Sequence, residues 1–200
     1  MHDILWLKQA CILLAFGCAL IGAVPYLRDI IHHRTKPHLF TWLVWGLIGF
    51  IATSAQIWDH AGIGAWAMVF STIKCLLVSA LALRYGEKRI TRSDWISLAA
   101  CLAAIPLWMA TGNPLASVLL LFAIETIAFY PTFRKTWAKP FEETLWAYNI
   151  SSLQFIFGLI ALENYTFITM IGGVSLIVSN AVFVIYALIR RRIILNGKAQ

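Results

Sequence analysis

The amino-acid sequence predicts an all-α integral membrane protein, with seven transmembrane helices arranged as 3+1+3 parallel triple-helix repeats. Three observations carry this expectation: an apolar composition, seven separate apolar runs of spanning length, and a one-sided distribution of Lys and Arg. Of 200 residues, 60% are hydrophobic and 12% are charged. A typical soluble domain carries about 45–50% apolar and about 25% charged residues. Seven spans of about 20 residues each use most of such a chain and leave short loops. The formal net charge of +7 would suggest nucleic acid in a soluble protein. No basic stripe with interleaved aromatics stands on a polar segment, so the expected partner is the lipid bilayer and not nucleic acid.

The first span covers residues 4–26. It is too long for a signal-peptide core, and only Lys8 lies at its start whereas Arg28, Arg34 and Lys36 follow it. That gradient favours an uncleaved helix inserted with its N-terminus outside. The remaining spans are read at 39–58, 62–84, 94–111, 114–133, 143–162 and 167–189. Charges or turn formers mark every break: Arg28–Lys36, Asp59-His60, Tyr85–Asp94, Thr111-Gly112-Asn113-Pro114, Arg134–Glu143, Glu163-Asn164 and a tail from Arg190. The chain thus divides into a first three-helix repeat (1–92), a linking helix (93–113) and a second repeat with a basic tail (114–200).

Loop charge sets the direction. Arg28, Arg34 and Lys36 lie in loop 1–2, and Arg84, Lys88, Arg89 and Arg92 in loop 3–4. Loop 5–6 carries Arg134, Lys135 and Lys139, and the tail carries Arg190, Arg191, Arg192 and Lys198. With seven spans, all of these fall on one side. The other side keeps Lys8, and Lys74 lies inside a span. Short loops rich in Lys and Arg stay cytoplasmic, so an odd number of spans with a cytoplasmic C-terminus is expected. An even number would scatter the charge over both faces. Short loops and no visible targeting tail favour a bacterial inner membrane.

Aromatic residues mark the same boundaries. Trp6, Trp58, Trp66, Trp108 and Tyr165 fall near the outer interface, and Tyr26, Tyr85, Trp95, Tyr130, Trp137 and Tyr186 near the inner one. Indole and phenol rings favour the headgroup level. Cys11, Cys18, Cys75 and Cys101 all fall in apolar runs without metal-ligand spacing, and read as small packed side chains. His32 and His33 read as solvated loop residues. No metal or cofactor is expected.

The two ends of the chain read alike. Span 1 ends Pro25-Tyr26-Leu27-Arg28 and span 5 ends Pro131-Thr132-Phe133-Arg134. Basic loops follow with Lys36-Pro37 and Lys139-Pro140, then Thr41 and Thr144, then Trp45 and Tyr148. Spans 2 and 6 close in acidic turns at Asp59 and Glu163-Asn164. Two triplets separated by one linking span have the same orientation, a parallel repeat about the membrane normal.

This layout resembles the SWEET and PQ-loop superfamily of small-solute transporters. The resemblance covers nearly the whole chain by architecture, although the family's Pro-Gln pair is absent: Pro25 precedes Tyr26 and Pro131 precedes Thr132. It implies transport by alternating access, with Pro25 and Pro131 as hinge or gating residues, since a proline inside a helix removes one hydrogen bond and bends it. The other reading is that both prolines simply end their helices. In sugar-transporting relatives, asparagines on the last helix of each triplet line the site, which implies a binding role for Asn180.

Lys74, Glu125 and Asn180 each lie about 11–13 residues into spans 3, 5 and 7, near one depth at about 1.5 Å per residue. An unpaired charge there costs roughly 2.5–3.5 kcal/mol. Lys74 and Glu125 would relieve each other if they face one interior. They could bind substrate with Asn180, or form a structural ion pair between the triplets. Lys74 departs from the family pattern and suits an anionic solute better than a sugar. Trp42, Trp45, Trp146 and Tyr148 could wall a cavity or form a lipid-facing belt. Gln56, Asn149, Ser151, Ser152 and Gln154 could line the interior or join helices.

The leading expectation is a transporter of a small polar or anionic metabolite, with Lys74, Glu125, Asn180, Trp45 and Tyr148 binding it. The second is an accessory or scaffold protein held by a structural Lys-Glu pair. No HExxH, paired Asp motif or Ser/Lys nucleophile pattern points to an enzyme. A homo-oligomer is left open.

Overall fold

The computed structural model describes residues 2–111 and 114–197. Side chains are described for these except residues 2, 3, 97, 101, 104, 105, 107–109, 111, 114–119, 121, 122 and 197. Gly112 and Asn113 of the predicted turn, Lys198 of the tail, and the side chains of Cys101 and Trp108 therefore lie outside the described residues.

Among the described residues the fold is all-helical, without strands. The helices are α1 (His2–Ile31), α2 (Leu39–Trp58), α3 (Trp66–Tyr85), α4 (Arg92–Thr111), α5 (Pro114–Ala138), α6 (Leu145–Ile160) and α7 (Phe167–Gly197). Short 3-10 turns at Gly62–Ala65 and Pro140–Glu142 precede α3 and α6. Four stretches of the described residues are long and apolar enough to cross a membrane: Ile4–Ile31, Leu39–Trp58, Gly62–Tyr85 and Phe167–Asn196. Large apolar side chains such as Leu13, Phe50, Leu83 and Ile96 stand exposed on the helices. Such surfaces are compatible with membrane insertion, where helices satisfy every backbone group internally.

Several boundaries differ from the sequence reading. α1 runs on through Pro25 to Ile31, and α5 through Pro131 to Ala138. Neither proline ends its helix, so that reading is corrected. α6 is shorter than its predicted span, at 16 residues, or about 24 Å at 1.5 Å per residue. Its start is delayed because Glu143 is extended (φ −128°, ψ 135°) and its carboxylate and the Thr144 hydroxyl are engaged elsewhere. α7 is longer than expected because Arg190 and Arg191 are not a free tail. Arg190 Nε donates to the Trp137 carbonyl at 2.8 Å and Arg191 Nε to the Pro140 carbonyl at 2.9 Å.

α3 packs on both α1 and α2, and α7 packs on both α5 and α6. α1 then lies along α6, α2 meets α5, α3 touches α6, and α4 packs mainly on α5. The α3–α6 approach is close: a Cβ on Gly158 would collide with the Ala67 methyl, the small-residue contact that lets apolar helices meet.

The loops segregate by end. At one end the Glu87 N–H donates to the Pro37 carbonyl (3.0 Å) and Arg191 Nη2 to the Glu143 carbonyl (2.6 Å). This is the end that gathers the basic loops. At the other, the Glu163 N–H donates to the Ala61 carbonyl (3.0 Å), Asn164 Nδ2 to the Asp59 carbonyl (3.0 Å) and Lys8 Nζ to the Leu162 carbonyl (2.5 Å).

Candidate functional site

Between the helices lies a cavity of about 110 Å³, well above the roughly 10–15 Å³ that a single water needs. Its walls come from α1, α2, α3, α5, α6 and α7. All five binding residues expected from sequence, Lys74, Glu125, Asn180, Trp45 and Tyr148, line it.

Lys74 reaches across from α3, and its ammonium donates to Ser151 Oγ on α6 at 3.0 Å. Glu125 on α5 is buried, and its Oε2 accepts from Ser175 Oγ on α7 at 2.7 Å. Its other oxygen, Oε1, is buried and accepts no well-formed hydrogen bond, although the Ser179 side chain, one turn beyond Ser175 on α7, also stands by the carboxyl group. The expected direct pairing of Lys74 with Glu125 is corrected: no ion pair joins them, because each stands at a different helix interface with a serine in reach. Buried polar atoms ordinarily find a partner. Here Glu125 Oε1, Gln56 Oε1 and the indole N–H groups of Trp42 and Trp45 make no well-formed hydrogen bond, and all four side chains line the cavity.

The tryptophans divide. Trp42 and Trp45 line the cavity, whereas Trp146 is 53% exposed and fits the lipid-facing belt. Gln56 and Ser151 also line it. Gln154 instead bonds the Ala67 carbonyl (2.7 Å), Ser152 bonds the Tyr148 carbonyl (3.2 Å), and Asn149 is exposed. Pro25 and Pro131 do not line the cavity, although Tyr26, which follows Pro25, does.

Toward the basic end the cavity meets an aromatic floor. Tyr26 and Trp42 rings lie 5.2 Å apart, Trp45 and Phe129 4.6 Å, and Tyr148 and Phe183 4.6 Å. The Tyr26 and Tyr148 hydroxyls both point to Glu143 Oε2, at 3.4 and 3.2 Å. Glu143 Oε1 in turn pairs with Lys135 Nζ at 2.5 Å, both side chains being almost completely buried. Lys135 also donates to the Lys36 carbonyl (2.6 Å) and the Glu142 carbonyl (3.0 Å). Such a pair is tolerable only because further hydrogen bonds complete its shell.

Two more polar clusters flank this pair. Arg134 Nη2 donates to Asp94 Oδ2 at 2.7 Å, and His38 Nε2 lies 3.3 Å from the same oxygen. Burial pushes the His38 imidazole below its ordinary value, against the opposing pull of Asp94. Lys139 Nζ donates to Glu87 Oε2 at 2.8 Å. Burial alone would raise the Glu87 carboxyl, but the Lys139 ammonium and the Arg89 backbone N–H bring it down to about 2.

Sequence reasoning missed the Lys135–Glu143–Tyr26–Tyr148 network, because Lys135 and Glu143 both fell in the break between spans 5 and 6, read as a basic cytoplasmic loop. One signal was available: a helix continued through Pro131 places Lys135 one turn further on the same face. Its partner Glu143, eight positions further along and beyond the helix end, could not be read from spacing.

The cavity thus offers an ammonium, a carboxylate, an amide, hydroxyls and two free indole donors inside largely apolar walls, which is the make-up of a small-molecule binding site. Compared with known proteins, the chain matches no family model, no curated protein and no solved structure.

Proposed function

We propose that this protein is a seven-span membrane transporter of a small polar metabolite, working by alternating access between two three-helix units, without covalent chemistry. The observation that carries the reading is the central cavity, whose walls hold Lys74, Glu125 and Asn180 from three different helices. Intramembrane ionisable groups facing a cavity are a usual sign of a solute or ion pathway.

Further observations support the 3+1+3 layout. In each proposed triplet the third helix packs on the first two, and the first helix of each triplet packs on the second of the other. This pattern fits a parallel repeat and a relationship to the SWEET and PQ-loop superfamily. Pro25 and Pro131, inside α1 and α5, supply weak points about which those helices can bend. The gathering of basic loops at one end supports an outside N-terminus and a cytoplasmic C-terminus, and the short loops suit a bacterial inner membrane.

The test is solute uptake into proteoliposomes holding the purified chain. Replacing Lys74 or Glu125 by leucine is expected to abolish uptake while the protein still reaches the membrane. Normal uptake in both variants contradicts the proposal. Labelling of cysteines engineered at the two termini tests the topology separately, and both ends in one compartment would overturn it.

A further inference from the structure

We infer that the cavity is built for a net-neutral dipolar solute, one carrying both a carboxylate and an ammonium group, of which the α-amino acids are the simplest class. The inference rests on the reading of this cavity as a substrate site and narrows it.

Two opposite charges that share a small cavity attract strongly where the surroundings are apolar. Left alone they would close on each other. Here they do not: Lys74 is drawn to Ser151 on α6, and Glu125 to Ser175 on α7. Each keeps capacity to spare. An ammonium has three donors, and the Ser151 hydroxyl takes one. Glu125 Oε1 is buried and accepts no well-formed hydrogen bond. The two charges are thus held as separate poles on the walls of one cavity.

Charge balance then selects the occupant. A simple anion would satisfy Lys74 and leave the buried Glu125 carboxyl without a counter-charge, to be held protonated. A simple cation would do the reverse. A sugar would offer hydroxyls to both poles and a counter-charge to neither. A dipolar ion satisfies both, its carboxylate taking the Lys74 ammonium and its ammonium taking Glu125 Oε1. The free indole N–H groups of Trp42 and Trp45 are further donors on the wall. Ile48, Ile171 and Phe155 line the same space and suit an apolar side chain. The two-pole arrangement replaces the anionic expectation drawn from Lys74 alone.

The test uses the full-length protein in lipid nanodiscs. Binding of glycine, L-alanine, L-leucine and L-phenylalanine is compared with that of their amides, which keep only the cation, and their N-acetyl derivatives, which keep only the anion. At least one parent amino acid is expected to bind about tenfold or more tightly than both of its derivatives, since a charge-assisted hydrogen bond is lost with either group. Glu125→Gln is expected to shift the preference toward the N-acetyl derivative, and Lys74→Gln toward the amide. Lys74→Arg should keep the parent preference. Binding by none of the parents, or equal binding of parent and derivative, overturns the inference. So does an identical shift of both derivatives in the two variants. If a variant does not fold, the three-way comparison on the unmodified chain decides alone. Exchange of labelled amino acid in proteoliposomes keeps the two readings apart. Binding without exchange retains the dipolar site and contradicts transport. Uptake of another solute with no binding of the panel retains transport and overturns the dipolar site.

Discussion

The two ends of the bundle are closed by different chemistry. At the basic end, Lys135–Glu143, Arg134–Asp94 and Lys139–Glu87 tie the loops together, and in each pair at least one side chain is almost wholly buried. At the opposite end the links are mostly hydroxyl, amide and backbone groups. Gln56 Nε2 donates to the Thr169 carbonyl at 2.9 Å, the Thr166 hydroxyl donates to Asp59, and the Thr166 N–H donates to Thr169 Oγ1 at 3.0 Å. Lys8 adds a single ammonium there. The contrast teaches where separation is expensive. A neutral hydrogen bond broken into water costs about 0.5–1.5 kcal/mol net. Stripping one partner from a buried ion pair costs about 3–5 kcal/mol, because the remaining charge cannot reach water.

The sharpest way to break the comparison is Lys135→Met. It leaves the Glu143 carboxylate buried among Tyr26 and Tyr148 without its hydrogen-bonded counter-charge, since the nearby Arg191 guanidinium donates to the Glu143 backbone carbonyl and not to the carboxylate. Thermal unfolding in detergent is expected to show a loss of about 3–5 kcal/mol. Adding Glu143→Gln to the same chain should recover most of it, since the penalty lies in the orphaned charge and not in the missing attraction. A loss below about 1 kcal/mol for Lys135→Met would mean that the two ends are not distinct in this sense.

At the opposite end the expected effects are smaller. Gly62 has φ +65°, and a Cβ there would collide with the Glu163 carboxyl group. Gly62→Ala is expected to cost about 1–2 kcal/mol from the left-handed backbone, read as a lower unfolding midpoint. Thr166→Val removes the hydroxyl that donates to Asp59 and accepts the Thr169 N–H at 3.2 Å. Its expected cost is about 1.5 kcal/mol, the low end for a hydrogen bond to a charged group because Asp59 is partly exposed, and a cost equal to that of Lys135→Met would erase the contrast.

The smallest effect belongs to Glu87, whose partner Lys139 is partly exposed. Its carboxyl is held at about 2 in the fold against an ordinary 4.5. The unfolded chain therefore binds the proton first as pH falls. The stabilisation is fully present above about 4.5 and is lost as pH drops from there toward about 2. Unfolding midpoints measured across that window should fall less steeply in Glu87→Gln than in the unmodified chain. Screening of the exposed lysine keeps the difference modest.

Much of this design is legible in the sequence. The seven helices coincide with seven apolar runs, because apolar runs about 20 residues long are a direct record of burial. The five residues expected to bind solute all reach one cavity, because a charge or amide placed mid-run is costly unless it faces the interior. Helix ends were less legible. Pro25 and Pro131 could be read as bends within their helices or as stops, and the later residues of α1 and α5 pack well enough to continue the helix, Ile30 being fully buried and Lys135 nearly so.

By itself, then, the sequence determined how many apolar segments there are, which loops carry the positive charge and which segments hold the costly polar groups. These follow from composition along a line, through the free energy of moving each side chain between water and oil. Only the tertiary structure decided which polar groups meet. It paired Lys135 with Glu143 rather than leaving both in solvent, and it kept Lys74 from Glu125 by offering each a serine from a neighbouring helix. Partner choice depends on distances of a few ångströms between helices far apart in the chain, and one-dimensional spacing holds no record of them.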